Sequence, residues 1–311
     1  LVDEEQSSYY MKLSLDKIRE FGNIELLAKQ MVEGFITGLH RSPFHGFSVE
    51  FAEHRLYNTG ESTRHIDWKV FAKTDKIFIK RYEEETNLRC QILIDVSSSM
   101  YYPKETKGKL TFSVMAAAAL AYMLQRQRDA VSIATFEDQI LEHTPCKSTS
   151  IHIHQLFALL QKLLDAESNL KKTSATKVLH EIAEKTHRRS LVIIFSDMFD
   201  NVEDPQELFG ALQHLKHQHH EVLLFHVMDK QTELLFEFEN RPYEFIDLET
   251  GEKIRLQPNQ VQETYKTHIE NYYKALKMKC GQYKIDFIEV DIAQPFEDVL
   301  YAYMVKRSKM R

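Results

Sequence analysis

From residue 88 onward, short apolar runs alternate with helix-length patterns, and this alternation narrows the possible folds more than any other feature of the chain. "LRCQILID", "AVSIATF", "SLVIIFSD", "EVLLFHVMD" and "YKIDFIEVD" read as strands. "KLTFSVMAAAALAYMLQRQ", "IHIHQLFALLQKLL", "ATKVLHEIAEKT", "DPQELFGALQHLKHQ", residues 258–281 and the closing "PFEDVLYAYMVKR" read as helices. Strands that alternate with helices specify a parallel sheet covered on both faces. The expectation is a doubly wound, mostly parallel α/β domain of Rossmann-like type over residues 88–311. Residues 233–257 are expected to form an inserted β-ribbon with a turn at "ETGEK".

Residues 1–87 have a different texture. A helix is expected over 13–37, where Leu15, Ile18, Ile24, Leu27, Met31 and Phe35 recur at spacings of three to four and Gly38 marks the stop. "FSVEFAEHRLY" and "KIFIKRY" read as short strands, with a turn at "NTGEST".

The chain has 311 residues, of which 43% are hydrophobic, enough for a substantial core without covalent staples. It carries 40 basic against 46 acidic residues, a balance that argues against a nucleic-acid partner. Cys90, Cys146 and Cys280 form no CxxC pair, so neither a disulfide framework nor a zinc ribbon is expected. Cys90 lies within a strand-like run and reads as a small core residue. The opening "LVDEEQSSYYMKLS" has neither the basic start nor the apolar core of an export signal, and no run approaches the ~20 apolar residues of a membrane span. A cytoplasmic protein is the expectation.

In a doubly wound sheet, ligands sit beyond the carboxyl ends of the strands, where strand order reverses. Asp95, Asp197 and Asp229 each end a strand-like run. After the first, "DVSSS" places a carboxylate and two hydroxyls at i, i+2 and i+4. A loop that turns back brings Asp95, Ser97 and Ser99 to one point. Oxygen-only donors suit a hard cation such as Mg²⁺, with Mn²⁺ or Ca²⁺ as alternatives. One loop cannot fill such a shell. Thr176, just ahead of a helix pattern, and Asp197, just after "SLVIIF", are the candidates for the remainder. The bland reading of the same residues is a hydrogen-bonded turn, because Asp and Ser are turn formers. A serine nucleophile is the enzyme reading. It lacks a Gly-x-Ser-x-Gly elbow and any histidine tied to Ser97 or Ser99 by a recognisable pattern.

Asp-x-Ser-x-Ser after the first strand, a later Thr and a later strand-end Asp resemble the metal-ion-dependent adhesion site of von Willebrand factor type A domains. The resemblance implies that Asp95, Ser97, Ser99, Thr176 and Asp197 ligate the metal and that an acidic side chain of a partner completes its shell. The block from "GLHRSPFHGF" through "WKVFAKTDKIFIKRYEEE" to "DVSSSM", followed by "SDMFD", "DLETGEK" and "PFEDVLYAYMVKR", resembles the domain-of-unknown-function 58 family. Members of that family typically lie near genes for MoxR-type AAA+ ATPases. The resemblance therefore implies a non-catalytic adaptor or co-chaperone that binds such an ATPase or its client. Ser174-Ala175 stands where the family often has Gly-Gly before the ligand Thr, which leaves that loop less backbone freedom. A serine hydrolase and a secreted adhesion protein are the competing readings.

Three further features are weighed against simple structural roles. His152 and His154, and the group His217, His219 and His220, read as solvated surface. Arg55, Arg64 and Asp67 around Trp68, with Glu50, Lys69 and Lys73, read as an internal ion-pair block more than as a docking surface for a partner. The basic tail "VKRSKMR" reads as solvated.

Overall fold

The computed structural model describes residues 23–41, 54–56, 73, 78–80, 88–166, 175–198, 206–248, 251–294 and 297–309. Helix α1 (Ile24–Arg41) starts at Asn23, whose Oδ1 accepts the backbone N–H groups of Glu25 and Leu26 at 2.9 and 3.2 Å. Its buried stripe is Ile24, Leu27, Ala28, Met31 and Val32. The helix runs past Gly38, the expected stop, to Arg41. A glycine inside a helix costs roughly 1 kcal/mol but does not by itself end it. Residues 13–22 of the expected helix lie outside the described residues. Strands β1 (His54–Leu56) and β2 (Phe78–Lys80) pair antiparallel, with Arg55 opposite Ile79. The expected "NTGEST" turn and Arg64, Asp67 and Trp68 lie outside the described residues, as does the side chain of Arg55. Residues 34–87 group as one compact unit and residues 24–33 group with the sheet domain. One boundary thus falls after residue 87, and residues 24–33, expected in the N-terminal segment, group with the sheet domain.

The sheet domain is built around β3 (Arg89–Asp95), which is buried from Cys90 to Asp95. It pairs in parallel with β4 (Ala130–Phe136) on one side, Ile92 opposite Ile133. The edge beyond β4 is β5 (Ile140–His143), antiparallel and mostly exposed. Helices α2 (Gly108–Arg126), α3 (Ser150–Asp165) and α4 (Ala175–Lys185) precede β6 (Leu191–Ser196). β6 pairs with the other side of β3, Ile92 opposite Ile193. Helix α5 (Gln206–His217), β7 (Glu221–Met228), a π-helical turn (Lys230–Leu234), the antiparallel ribbon β8 (Tyr243–Ile246) and β9 (Lys253–Leu256), α6 (Pro258–Gln282), β10 (Asp286–Asp291) and α7 (Glu297–Lys309) follow. The six strands lie in the order β10-β7-β6-β3-β4-β5, all parallel except β5. This is the expected mostly parallel, doubly wound architecture.

The two faces of the sheet are covered for different reasons. Leu93, Val192, Ile194, Val222 and Leu224 project from alternate strand positions onto Val178, Leu179 and Ile182 of α4, Leu208, Leu212 and Leu215 of α5, and Ile269 and Leu276 of α6. Helix α2 is buried from Lys109 to Ala121 and packs against α3 and α7. Its run of alanines, Ala116 to Ala119, keeps it thin enough to be surrounded on all sides.

Several local expectations change. Residues 230–234 are a π-helical turn capped by Asp229, so the ribbon begins at Tyr243 and not at 233. In the "ETGEK" turn, Gly251 takes φ +74°, a conformation that favours glycine. His152 and His220 are buried, not solvated. His152 faces the sheet from α3, with its Nε2 3.0 Å from the Val131 carbonyl. His154 is exposed, 2.8 Å from Glu25, and His217 and His219 are also exposed. The basic tail is not simply solvated. Lys306 Nζ reaches Glu221 at 2.6 Å and Asp286 at 2.8 Å, and Arg307 Nη2 reaches Asp129 at 3.0 Å. Helix α7 thus crosses the sheet edge where β7 and β10 begin, and the carboxylates there hold it. Cys90 is buried as expected.

His226 of β7 gives the domain a pH sensitivity. It is fully buried against the rings of Tyr273 and Phe287, with centroids 4.5 and 5.5 Å away. Burial pushes its pKa down from 6.5 to about 4, with the nearby Asp197 charge acting in the opposite sense. The folded state therefore binds fewer protons than the unfolded chain across this window. The stability His226 contributes is complete above about pH 6.5 and is lost as pH falls toward 4, at about 1.4 kcal/mol per pH unit. Thermal melts of His226→Phe should show a shallower loss of Tm between pH 6.5 and 4 than the wild type. Parallel pH curves would contradict this assignment.

Candidate metal centre

The chain places β4 on one side of β3 and then crosses to place β6 on the other, so strand order reverses between β3 and β6. The carboxyl ends of these two strands define the crevice where such folds bind ligands. Asp95 ends β3, Ser196 ends β6, and Asp197 directly follows it.

Past Asp95, the Val96 N–H still donates to the Phe136 carbonyl at 2.9 Å. The chain then turns. Ser97 is extended, and Ser98–Tyr101 form a 3-10 turn closed by Met100 N–H to Ser97 O at 3.1 Å and Tyr102 N–H to Ser99 O at 3.1 Å. This turn folds the loop back on the strand end. Ser97 N–H donates to Asp95 Oδ1 at 2.9 Å, and the Ser97 and Ser99 hydroxyl oxygens lie 3.1 Å apart. The i, i+2, i+4 convergence expected from "DVSSS" is present.

Asp197 is buried next to this loop. The two loops are joined by Ser196, which the sequence reading did not single out. Its hydroxyl donates to Asp95 Oδ2 at 2.6 Å and accepts the Met198 N–H at 3.0 Å. Its position as the last residue of a strand at the reversal point was the available signal. Thr176 is the second residue of α4. Because α4 leads into the start of β6, its N-terminus lies at the opposite, carboxyl edge of the sheet. The Thr176 Oγ1 is buried with no hydrogen-bond partner among the described residues. An unpartnered buried hydroxyl costs about 1–3 kcal/mol and calls for a ligand or water. Ser174 lies outside the described residues, and Ala175 is fully buried.

The electrostatics ask for positive charge. Burial raises the Asp95 carboxyl well above the usual carboxylate range. The neighbouring Asp197 charge raises it further, against hydrogen bonds from Ser196 and Ser97. A second residue missed in the sequence answers part of this demand. Lys109, the second residue of α2, is fully buried, with its Nζ 2.7 Å from Asp197 Oδ2 and 2.5 Å from Glu233 Oε1. Burial alone would lower its pKa, but the Asp197 and Glu233 carboxylates outweigh that and hold it charged. For Glu233, burial raises the pKa and outweighs the lowering by Lys109. The lysine is seated by Gly108, where an added Cβ would lie 2.8 Å from Ile292 Cδ1 and 2.9 Å from Pro103 Cδ. The lone charge heading an otherwise apolar helix, "KLTFSVMAAAALAYML", was the signal for Lys109. Glu233 had none.

Among the described residues, no three His, Cys, Asp or Glu side chains gather as a metal-binding group. Any ion here would depend on two carboxylates, hydroxyls and water. That all-oxygen set fits a hard dication and does not fit zinc or copper.

Residues 53–275 match the family described as "Protein of unknown function DUF58". The chain belongs to the DUF58 family. Uncharacterized proteins of Mycobacterium bovis and Mycobacterium tuberculosis are each 23% identical to this DUF58 chain over 206 residues. The match covers 66% of the chain and 63% of theirs, so the chain spans less than two thirds of the length of these relatives. Among solved structures, the conserved hypothetical protein BatB from Bacteroides thetaiotaomicron is 14% identical with a TM-score of 0.44, covering 71% of this chain and 99% of that one. An aerotolerance-related membrane protein from Bacteroides fragilis, solved with multiple mutations to serine, is 14% identical with a TM-score of 0.43, covering 70% and 99%.

Ser196→Ala removes the buried hydroxyl that links the two loops. It should lower the stability of the chelator-treated protein by about 1–3 kcal/mol in urea unfolding. A loss below about 0.5 kcal/mol, the usual effect of a surface change, would show that the loops do not depend on it.

Proposed function

We propose that this DUF58 chain is a non-catalytic, metal-dependent protein-binding adaptor. The metal is Mg²⁺, with Mn²⁺ or Ca²⁺ as substitutes, held by Asp95, Ser97, Ser99, Thr176 and Asp197. The observation that carries this reading is the convergence of the Asp95, Ser97 and Ser99 oxygens at the strand-order reversal; the buried Thr176 hydroxyl, without a partner among the described residues, lies at the N-terminus of α4 on the same edge of the sheet. When bound, the dication would supply a Lewis-acidic centre that attracts an acidic side chain of the partner. The protein's own residues orient it: Ser196 and the Ser97 N–H fix the Asp95 carboxylate, and Lys109 fixes Asp197. The proposed partner is a MoxR-type AAA+ ATPase or its client, on the strength of the family resemblance, and the proposed location is the cytoplasm. No helix among the described residues is long and apolar enough to cross a membrane.

Two experiments test this reading. Asp95→Ala should weaken binding to the ATPase at least tenfold, and chelator should weaken the wild type to the same level. Equal binding by variant and wild type, with and without chelator, would refute the mechanism. Thr176→Val keeps the shape and removes only the hydroxyl. Stability without metal should change by less than about 0.5 kcal/mol or rise, because no partner is lost. The Tm increase on adding Mg²⁺ should shrink. An unchanged Mg²⁺ response would remove Thr176 from the ligand set.

A further inference from the structure

We infer that Lys109 is the resident counter-cation of the Asp95–Asp197 site, that it competes with a divalent ion for Asp197, and that Glu233 sets the strength of that competition. The inference rests on the metal-binding reading above. It concerns two residues outside the proposed ligand set.

The geometry is specific. The Lys109 ammonium sits between two carboxylates, one belonging to the proposed ligand Asp197 and the other to Glu233. A buried ammonium of this kind neutralises a ligand carboxylate without any bound ion. A dication approaching Asp197 then meets both a carboxylate already engaged through Oδ2 and a like charge within a few ångströms of it. In a buried setting that repulsion is large, because Coulomb energies of charges near 4 Å reach several kcal/mol at an effective dielectric constant of about 20. Glu233 acts in the opposite sense, since it draws the same ammonium away from Asp197.

Glu233 is also firmly held. Its Oε2 accepts the Asp229 N–H at 2.7 Å, and its carbonyl accepts the Tyr265 hydroxyl at 2.9 Å. Gln262 Nε2 donates to two carbonyls further along, Leu235 at 3.2 Å and Phe236 at 3.0 Å. Phe236 in turn stacks on Phe245 of the ribbon and packs on Tyr265. Packed rings and hydrogen bonds thus connect the β8–β9 ribbon to the segment that holds Glu233. In a purely structural ion triad, substitutions would change stability and leave metal affinity alone. In a competing cation, they change affinity with predictable signs.

The experiment uses the full chain, freed of metal by chelator. Mg²⁺ is titrated by calorimetry and Mn²⁺ by electron paramagnetic resonance, with circular dichroism to confirm folding. Four proteins are compared: wild type, Glu233→Gln, Lys109→Met and the double variant. Glu233→Gln should bind several-fold more weakly, because a carboxylate that draws the ammonium away from Asp197 is then neutral. Lys109→Met should bind at least about tenfold more tightly. The double variant leaves net charge unchanged and should also bind more tightly than wild type, which separates competition from a simple charge effect. Binding by the lysine variants but not by the wild type would also support the inference. Wild-type binding that is unchanged or weaker in the double variant would overturn it and leave the metal site standing. Absence of binding in all four would overturn both. If the lysine variants fail to fold, Glu233→Gln decides alone, since it keeps the Lys109–Asp197 pair. Unchanged affinity in that variant overturns the inference.

Discussion

Two carboxylates, Asp95 and Asp197, are buried close together where β3 and β6 reach the carboxyl edge of the sheet, and burial together with the Asp197 charge raises the Asp95 carboxyl well above the usual carboxylate range. Much of the local architecture follows from that constraint. Ser196 and the Ser97 N–H spend their hydrogen bonds on Asp95. Lys109 is buried whole to reach Asp197. Gly108 clears the space that lets α2 begin where its second residue meets the site. A buried ion pair is weak support for stability, because desolvation offsets most of the attraction. Its presence in an otherwise apolar layer points to the site and not to the core.

The fold supplies the position and the loops supply the chemistry. Parallel strands require crossover helices, and crossing from one side of β3 to the other leaves a crevice at their ends. The alanine-rich α2 keeps one face of the sheet covered while bringing its N-terminus, with Lys109, to that crevice. On the other face α4 brings Thr176 to the same edge, and on the far side of β7 the π-helical turn brings Glu233. Three separate crossovers thus supply groups to one edge of the sheet.

Much of this was legible in the sequence. The strand–helix alternation specified the parallel sheet, because each long apolar run has only one way to be buried on both faces. "DVSSS" specified the converging loop, because its residue types and spacing leave few other geometries. What escaped notice was set by tertiary contact. β5 is four residues long, and only Ile140 packs on the core. Residues 230–233 are polar, and the turn is held by the Asp229 cap and the Glu233 side chain. His152 and His220 look like surface histidines until their helix and strand are placed against the sheet. The tail residues Lys306 and Arg307 find carboxylates that come from β7, β10 and the approach to β4. Glu233 pairs with a lysine more than a hundred residues away, a distance across which local pattern carries no information.

What joins the sheet, the loops and the buried charges is a single claim: the oxygens at the β3–β6 reversal form a site for a hard dication. A crystal structure grown with Mn²⁺, with data collected at the manganese absorption edge, tests it most directly. An anomalous peak among the Asp95, Ser97 and Ser99 oxygens, lost in crystals of Asp95→Ala, is the predicted result. No peak at that position, with the Lys109 ammonium alone facing Asp197, would contradict it.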